Sequence, residues 1–291
     1  MGLALGRGVL LLVLAGALSA CSAPAVPLPF AEPAAAVVDG HTISMKAYQA
    51  RLEVSRHRDP FLGIREAIPS PAPSQRLEAF TIEQLVREEI VRQEAAKRGI
   101  AVSDRAVQSR FDLLTARAGA SSFTAALRRN GFTSDSFHAY QRALLTEVAL
   151  LQAMAKDRAN SAAQELLSGQ AFASVAARWS DDTGTSGRGG DAGWLRPAEI
   201  PEPALAAAVA SLTPGSVSAI IATNRGYVIA TVLERRNDLL HLATILVLAP
   251  AVDLYSPQGT PSWFTKFIDD RDAALRRAGR IELKVATDAG R

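Results

Sequence analysis

From Gln75 to Arg158 apolar side chains recur at three- and four-residue spacing with hardly a break, which commits this long central stretch to packed helices. Leu77, Phe80, Leu85, Val86, Ile90 and Val91 share one helical face, and Gly99 stands where that helix should end. Ser103 is placed to cap the next helix, which carries Val107, Phe111 and Leu114 and stops near Gly119. Ser121 or Ser122 starts a short one with Phe123, Ala126 and Leu127, closed by Asn130-Gly131. Thr133 or Ser134 opens a long one through Phe137, Tyr140, Leu144, Leu145, Val148, Leu151 and Met154. Each helix is amphipathic. None clusters His, Asp or Glu at ligand spacing, so neither a metal nor an acid–base pair is expected here.

The flanks read as strands and turns. Asp39-Gly40 between Ala36-Val37-Val38 and His41-Thr42-Ile43 is a hairpin signal. Ser44 then looks like the N-cap of a helix through Ala47, Tyr48, Leu52 and Val54. Ile68 to Ser74 is a Pro/Ser-rich loop, and Pro257-Gln258-Gly259-Thr260-Pro261 is another. Ser262 should cap a last helix carrying Trp263, Phe264, Phe267, Ile268, Ala274 and Leu275. Gly279 ends that helix, and Ile281 to Val285 alternates like a strand.

At the N-terminus Arg7 precedes the short apolar run Val9 to Ala17, and small residues lead to Leu18-Ser19-Ala20-Cys21. The run is about half of the ~20 residues that a spanning helix needs, so it reads as a secretory signal. The ending resembles the lipobox of bacterial lipoproteins, which implies that residues 1–21 are the signal and that Cys21 is lipidated. Cys21 is the only cysteine. Acylated, it leaves no thiol for a disulfide, a nucleophile or a metal site, and the fold must be held by its core. Four prolines between Ser22 and Pro33 make residues 22–35 an extended spacer. A net charge of +3 without a concentrated basic patch gives no reason to expect nucleic acid as a partner. The expected setting is the outer face of the cytoplasmic membrane or the periplasmic side of an outer membrane. Cys21 would be the sole membrane contact, and the sequence does not specify an oligomeric state.

The words Val37-Val38-Asp39-Gly40, Glu94-Ala95-Ala96-Lys97-Arg98-Gly99-Ile100-Ala101-Val102-Ser103-Asp104 and Gly131-Phe132-Thr133 resemble the N-terminal domain of SurA and of the PrsA-type foldases, over about residues 36 to 158. Farther on, Trp179-Ser180-Asp181-Asp182, Gly189-Gly190-Asp191-Ala192-Gly193-Trp194-Leu195, Leu212-Thr213-Pro214-Gly215-Ser216-Val217-Ser218 and Gly226-Tyr227-Val228-Ile229 resemble, in order and spacing, the parvulin (PpiC-type) peptidyl-prolyl isomerases. Glycines 187 to 193 are not a phosphate cradle, because the Lys-Ser/Thr ending is missing.

The resemblance implies an isomerase that needs no cofactor, no nucleophile and no metal. Rotation of a peptide bond crosses a barrier of about 18–20 kcal/mol. An apolar slot for the proline ring, exclusion of water and polar groups tolerant of the twisted amide would lower it. The catalytic acidic position falls on Asp182. Ala192, Ile200 and Leu205 (or Ala204) would line the slot, with Trp194, Tyr227 and Thr244 completing the substrate-binding set. Unfolded or partly folded exported polypeptides are the implied partners.

The departures are specific. The last strand usually carries a histidine where Val228 stands. The family's first strand should precede Ala162, but Lys156 to Asn160 is not strand-like. A match appears instead after the domain, at Leu242 to Leu248, with Thr244 at the other histidine position and His241 three residues upstream. Either the parvulin sheet is circularly permuted, with Leu239–Leu248 filling the missing place, or a truncated second copy begins here. A lone histidine beside an apolar strand reads as an edge residue, so His241 is not assigned to catalysis.

The expected fold is α+β. A helical SurA/PrsA-like chaperone domain is built from residues 36–158 plus 262–291. Inserted into it, before a linker at 251–261, is a parvulin-like α/β domain at 159–250 with a four-stranded antiparallel sheet. The expected function is that of a lipid-anchored foldase that binds unfolded exported chains and assists prolyl isomerisation, weakly because of the missing histidines. The alternative is a catalytically degenerate parvulin acting as a holdase or envelope scaffold.

Overall fold

The computed structural model describes residues 32–57, 71–72, 75–252 and 259–286, so the signal, Cys21 and most of the spacer lie outside the described residues. From Pro33 onward the chain is one compact unit. Strands β1 (Ala34–Val38) and β2 (His41–Ser44) form the expected hairpin. Asp39 and Gly40 both take positive φ, 52° and 80°, as a two-residue turn of matching twist requires. β1 starts inside the stretch read as spacer, because it gains partners on both sides: β2, and β7 (Ile281–Leu283) from the other end of the chain. The strand foreseen at Ile281–Val285 is shorter, although Lys284 N still donates to Ala35 O at 2.8 Å.

Helices α1 (Met45–Arg56), α2 (Leu77–Lys97), α3 (Asp104–Ala118), α4 (Ala120–Arg129) and α5 (Ser134–Leu167) follow. Ser44 accepts from Ala47 N at 3.1 Å and Ser103 from Ala106 N at 3.2 Å, each satisfying a free N–H of the first turn. Thr133 and Ser136 bond each other's backbone N–H in a reciprocal cap of α5. No serine caps α4. Gly119, at φ 80°, lets α3 and α4 abut across one residue.

The sequence pattern carries helices only as far as Arg158, whereas α5 runs unbroken for 34 residues, about 50 Å at 1.5 Å per residue. Lys156 to Asn160 contains no helix breaker. Ala155, Ala159 and Ala162 are fully buried and leave room for the helix to lie close on a sheet. α5 thus serves three cores. Phe137 joins Phe111, Phe123 and Phe132, Val148, Leu150 and Leu151 join α2 and β1, and the alanines reach the second sheet. Helix α8 (Ser262–Arg277) buries Phe264, Ile268 and Leu275 in the middle core. Pro261, not Ser262, occupies its cap position.

The second sheet has the order β3 (Asp191–Leu195), β6 (Leu239–Leu248), β5 (Gly226–Arg236), β4 (Ile221–Ala222), all antiparallel. Its last strand in sequence is an inner one, held by β5 on one side and β3 on the other. That is the permuted arrangement, and the described residues after β6 add α8 and β7 to the other half instead of starting a second copy. Asn237 at φ 53° makes the tight turn between β5 and β6. Helix α6 (Phe172–Trp179) packs with α5 on one face, and α7 (Pro203–Ala210) on the other.

Candidate functional site

Strand alternation divides the expected site residues between the two faces. On the α7 face lie Val228, Ala230 and Val232 of β5, Leu240, Leu242 and Leu246 of β6, and Ala192 of β3, packed with Ile200 and Leu205. Thr244 pairs with Ala230 in register and shares that face, between Leu242 and Leu246. Val228 pairs with Leu246. The two positions where histidines are expected therefore fall on one face with the expected slot residues. Ile200 and Leu205 are only 7% exposed each, so they form the floor of this site rather than its rim.

Two expected residues are not part of that group. A bulge between Asp191 and Gly193 rotates β3, and Trp194 faces the opposite side, stacked on His241 with ring centres 5.0 Å apart. Arg236 lies over the same indole at 4.7 Å. Tyr227, an odd-numbered neighbour of Val228, packs toward Ala155 and Ala159 of α5. His241 is a partly exposed residue beside the edge strand, and its Nε2–H donates to Asp191 Oδ1 at 2.8 Å. The Gly193 N–H and then His241 hold the Asp191 carboxyl below its ordinary range.

Asp182 begins the loop that leads into β3. Its Oδ1 accepts from Gly184 N at 3.1 Å and its Oδ2 from Thr185 Oγ1 at 2.7 Å, so both oxygens are engaged in shaping the turn. Gly190 ends the loop at φ 85°, and its carbonyl accepts from Thr244 N at 2.8 Å. A Cβ there would come within 2.5 Å of Thr244 O, so the approach beside Thr244 demands glycine.

The neighbouring Asp181 has the stronger environment, and sequence reasoning passed over it in favour of Asp182. Its Oδ2 accepts from Leu248 N and from Trp263 Nε1, both at 2.9 Å. Burial pushes its carboxyl above the ordinary range, against the pull of those two donors and of Arg158. The Arg158 guanidinium lies between the rings of Trp179 and Trp263, at 5.0 and 4.8 Å, and burial lowers its pKa. Both shifts favour the neutral forms, so desolvation outweighs the mutual attraction of this pair.

Among the described residues of the helical half, two clefts of about 490 Å³ each stand open. One, between α3 and α5, is lined by Val102, Ala106, Leu145, Val148, Ala149 and Val252. The other lies between α1 and the start of α5, beside Phe132, Val54 and the Arg51–Glu88 ion pair. Among the described residues no helix is long and apolar enough to cross a membrane, and no group of three His, Cys, Asp or Glu side chains could hold a metal.

Comparison with known proteins finds two family models on successive parts of the chain. A SurA-like N-terminal domain family matches residues 5–151 and a PPIC-type PPIASE domain family matches residues 144–234. The second match stops before β6, the inner strand between β3 and β5. The chaperone SurA of Aromatoleum aromaticum is 42% identical over 80 residues, 28% of this chain and 18% of the relative. That of Nitrosococcus oceani is 37% identical over 75 residues, 26% and 17% respectively. The matched segments therefore span less than a fifth of these curated relatives. Among solved structures, the foldase PrsA of Lactococcus lactis aligns over 87% of this chain and 95% of its own, at 15% identity and a TM-score of 0.33. A SurA-like chaperone of Campylobacter jejuni aligns over 88% and 100%, at 12% identity and a TM-score of 0.31. With one family model matching half of the chain, residues 5–151, and a PPIC-type model matching residues 144–234, the chain belongs to the SurA-like chaperone-foldases that carry a PPIC-type domain.

Proposed function

We propose that this protein is an extracytoplasmic foldase, tethered through a lipidated Cys21, that grips unfolded exported chains and turns their prolyl bonds slowly. The observation that carries the reading is the face formed by Ala192, Ile200, Leu205, Val228, Thr244 and Leu246. Apolar walls favour a proline ring by roughly 25 cal/mol per Å² of apolar surface removed from water. They also keep water from the amide, whose resonance must be lost as the bond turns. None of these six side chains ionises, and the Thr244 hydroxyl is their one polar group. Only contacts stronger in the twisted amide than in the ground state accelerate the step. Thr244 alone supplies less of that than two imidazoles would, which is why the rate is low. Asp182 serves by holding its loop. The two clefts of the helical half are the sites for extended apolar segments of the client.

Isomerisation of a proline tetrapeptide by the purified protein in mild detergent tests this reading, run beside suppression of aggregation of a chemically unfolded client. A rate above background but well below that of a parvulin with both histidines is expected, together with suppression. No acceleration with intact suppression would leave a holdase and remove the catalytic part. Neither activity would remove the foldase reading.

A further inference from the structure

We infer that Asp181 is a positioning residue through which the helical half sets the geometry of the isomerase face. This rests on the isomerase reading above and adds a control point to it.

β6 carries Thr244 and Leu246, and its outer edge is held by three successive pieces of chain. β3 pairs with Leu240 to Ala243, Gly190 takes the Thr244 N–H, and Ser180-Asp181 covers the rest. In that last piece Asp181 N donates to Leu246 O at 2.7 Å, Leu246 N to Ser180 Oγ at 3.1 Å, and Leu248 N to Asp181 Oδ2 at 2.9 Å. The same Oδ2 takes the indole N–H of Trp263, in the first turn of α8.

α8 belongs to the other half. Phe264, the next residue, is fully buried in the core of α2, β1 and α5. Farther along, Arg271 donates to Glu94 of α2 and Arg276 pairs with Glu83. A displacement of α8 by a client in the helical half therefore pulls on one carboxylate oxygen that also fixes the end of β6 and the start of the Asp182 loop. Arg158, clasped by Trp179 from one half and Trp263 from the other, is the charged group facing this carboxylate among the described residues; β6 and α8 offer it the Leu248 N–H and the Trp263 indole.

An ionised Asp181 holds both N–H donors more strongly than a protonated one. The isomerisation rate then falls on acidification, at a pH above that expected for an ordinary aspartate, since burial favours the protonated form. Trp263→Phe keeps the ring against Arg158 but removes one donor to the carboxylate, so kcat should fall several-fold at neutral pH with KM little changed. The acid limb should also move to higher pH, because the lost bond favoured ionisation. Asp181→Asn should hold the rate at the low acid plateau at every pH. Rates and limbs identical in wild type and both variants would overturn the inference.

If the wild type shows no isomerisation, the catalytic reading fails by itself, and the coupling is then decided by amide exchange at Leu246 and Leu248. Faster exchange in Trp263→Phe that is unaltered elsewhere in the sheet supports it. Unchanged exchange overturns it.

Discussion

Arg271 on α8 donates to Glu94 on α2 at 2.8 Å across 177 residues of chain. Lys97 donates to the same oxygen at 2.7 Å. Burial pushes the Glu94 carboxyl up, but hydrogen bonds from the two cations and their charge outweigh it and leave the group below its ordinary range. Its stabilising contribution is therefore present above the ordinary glutamate pKa of about 4.3 and is lost as the pH falls through the lower folded value. Glu94→Gln should lower the melting temperature at pH 7, and thermal unfolding as a function of pH should show the gap closing on acidification. A gap independent of pH would contradict this.

Removal of residues 262–291 should unfold the helical half as well as shorten it. Phe264, Ile268 and Leu275 leave the middle core, and β1 loses β7. Large-to-small core changes cost about 2–5 kcal/mol each, and three such losses together are comparable with the whole stability of a typical domain. Circular dichroism should report loss of helix well beyond the 16 residues of α8. Loss confined to that length would refute the shared core.

Ile245 is fully buried with Ile229, Val175 and Ala176. Ile245→Asp should place an unpaired charge in that core and cost several kcal/mol. Trp179 and Trp194 fluorescence should then report loss of α6 and β3 together with β6. A chain ending at Arg236, which leaves β3 and β5 without the strand between them, should fail to unfold cooperatively in urea. A sharp urea transition would show that β6 is dispensable.

Asp182→Ala should loosen the turn that Gly184 N and Thr185 Oγ1 now close, at a cost of about 1–2 kcal/mol, like a lost helix cap. Suppression of client aggregation should survive. A folded Asp182→Ala protein that has lost suppression would place client binding at this loop instead of the helical clefts.

Cys21→Ser should leave the protein uncleaved at the signal or free of the membrane. Fractionation of cells followed by mass measurement of the N-terminus distinguishes the two. Mature protein that stays membrane-bound without Cys21 would remove the lipid anchor.

Local chemistry was the legible part of this chain. Ser44, Ser103 and Thr133 announce helix starts, and Asp39-Gly40 announces a hairpin, because each effect acts within three or four residues. The permuted sheet was also readable, since an apolar strand stood in the wrong place with a tight turn before it. Facing was less legible. The β3 bulge turns Trp194 away from Ala192, and a bulge leaves no mark in a pattern of alternating residues. The unbroken α5 was missed because helical periodicity does not report what the buried alanines pack against. Asp181 was overlooked beside Asp182 because its donors arrive from Leu248 and from Trp263, 82 residues away.

The sheet order carries a consequence for how the molecule is made. β1 waits for β7, and β3 and β5 wait for β6, so neither sheet can close until a strand from much later in the sequence has been delivered. Contacts of such long sequence separation form late and slowly. A member of a chaperone family thus emerges from its own synthesis with both of its sheets open, exposing unpaired strand edges of the kind that invite aggregation.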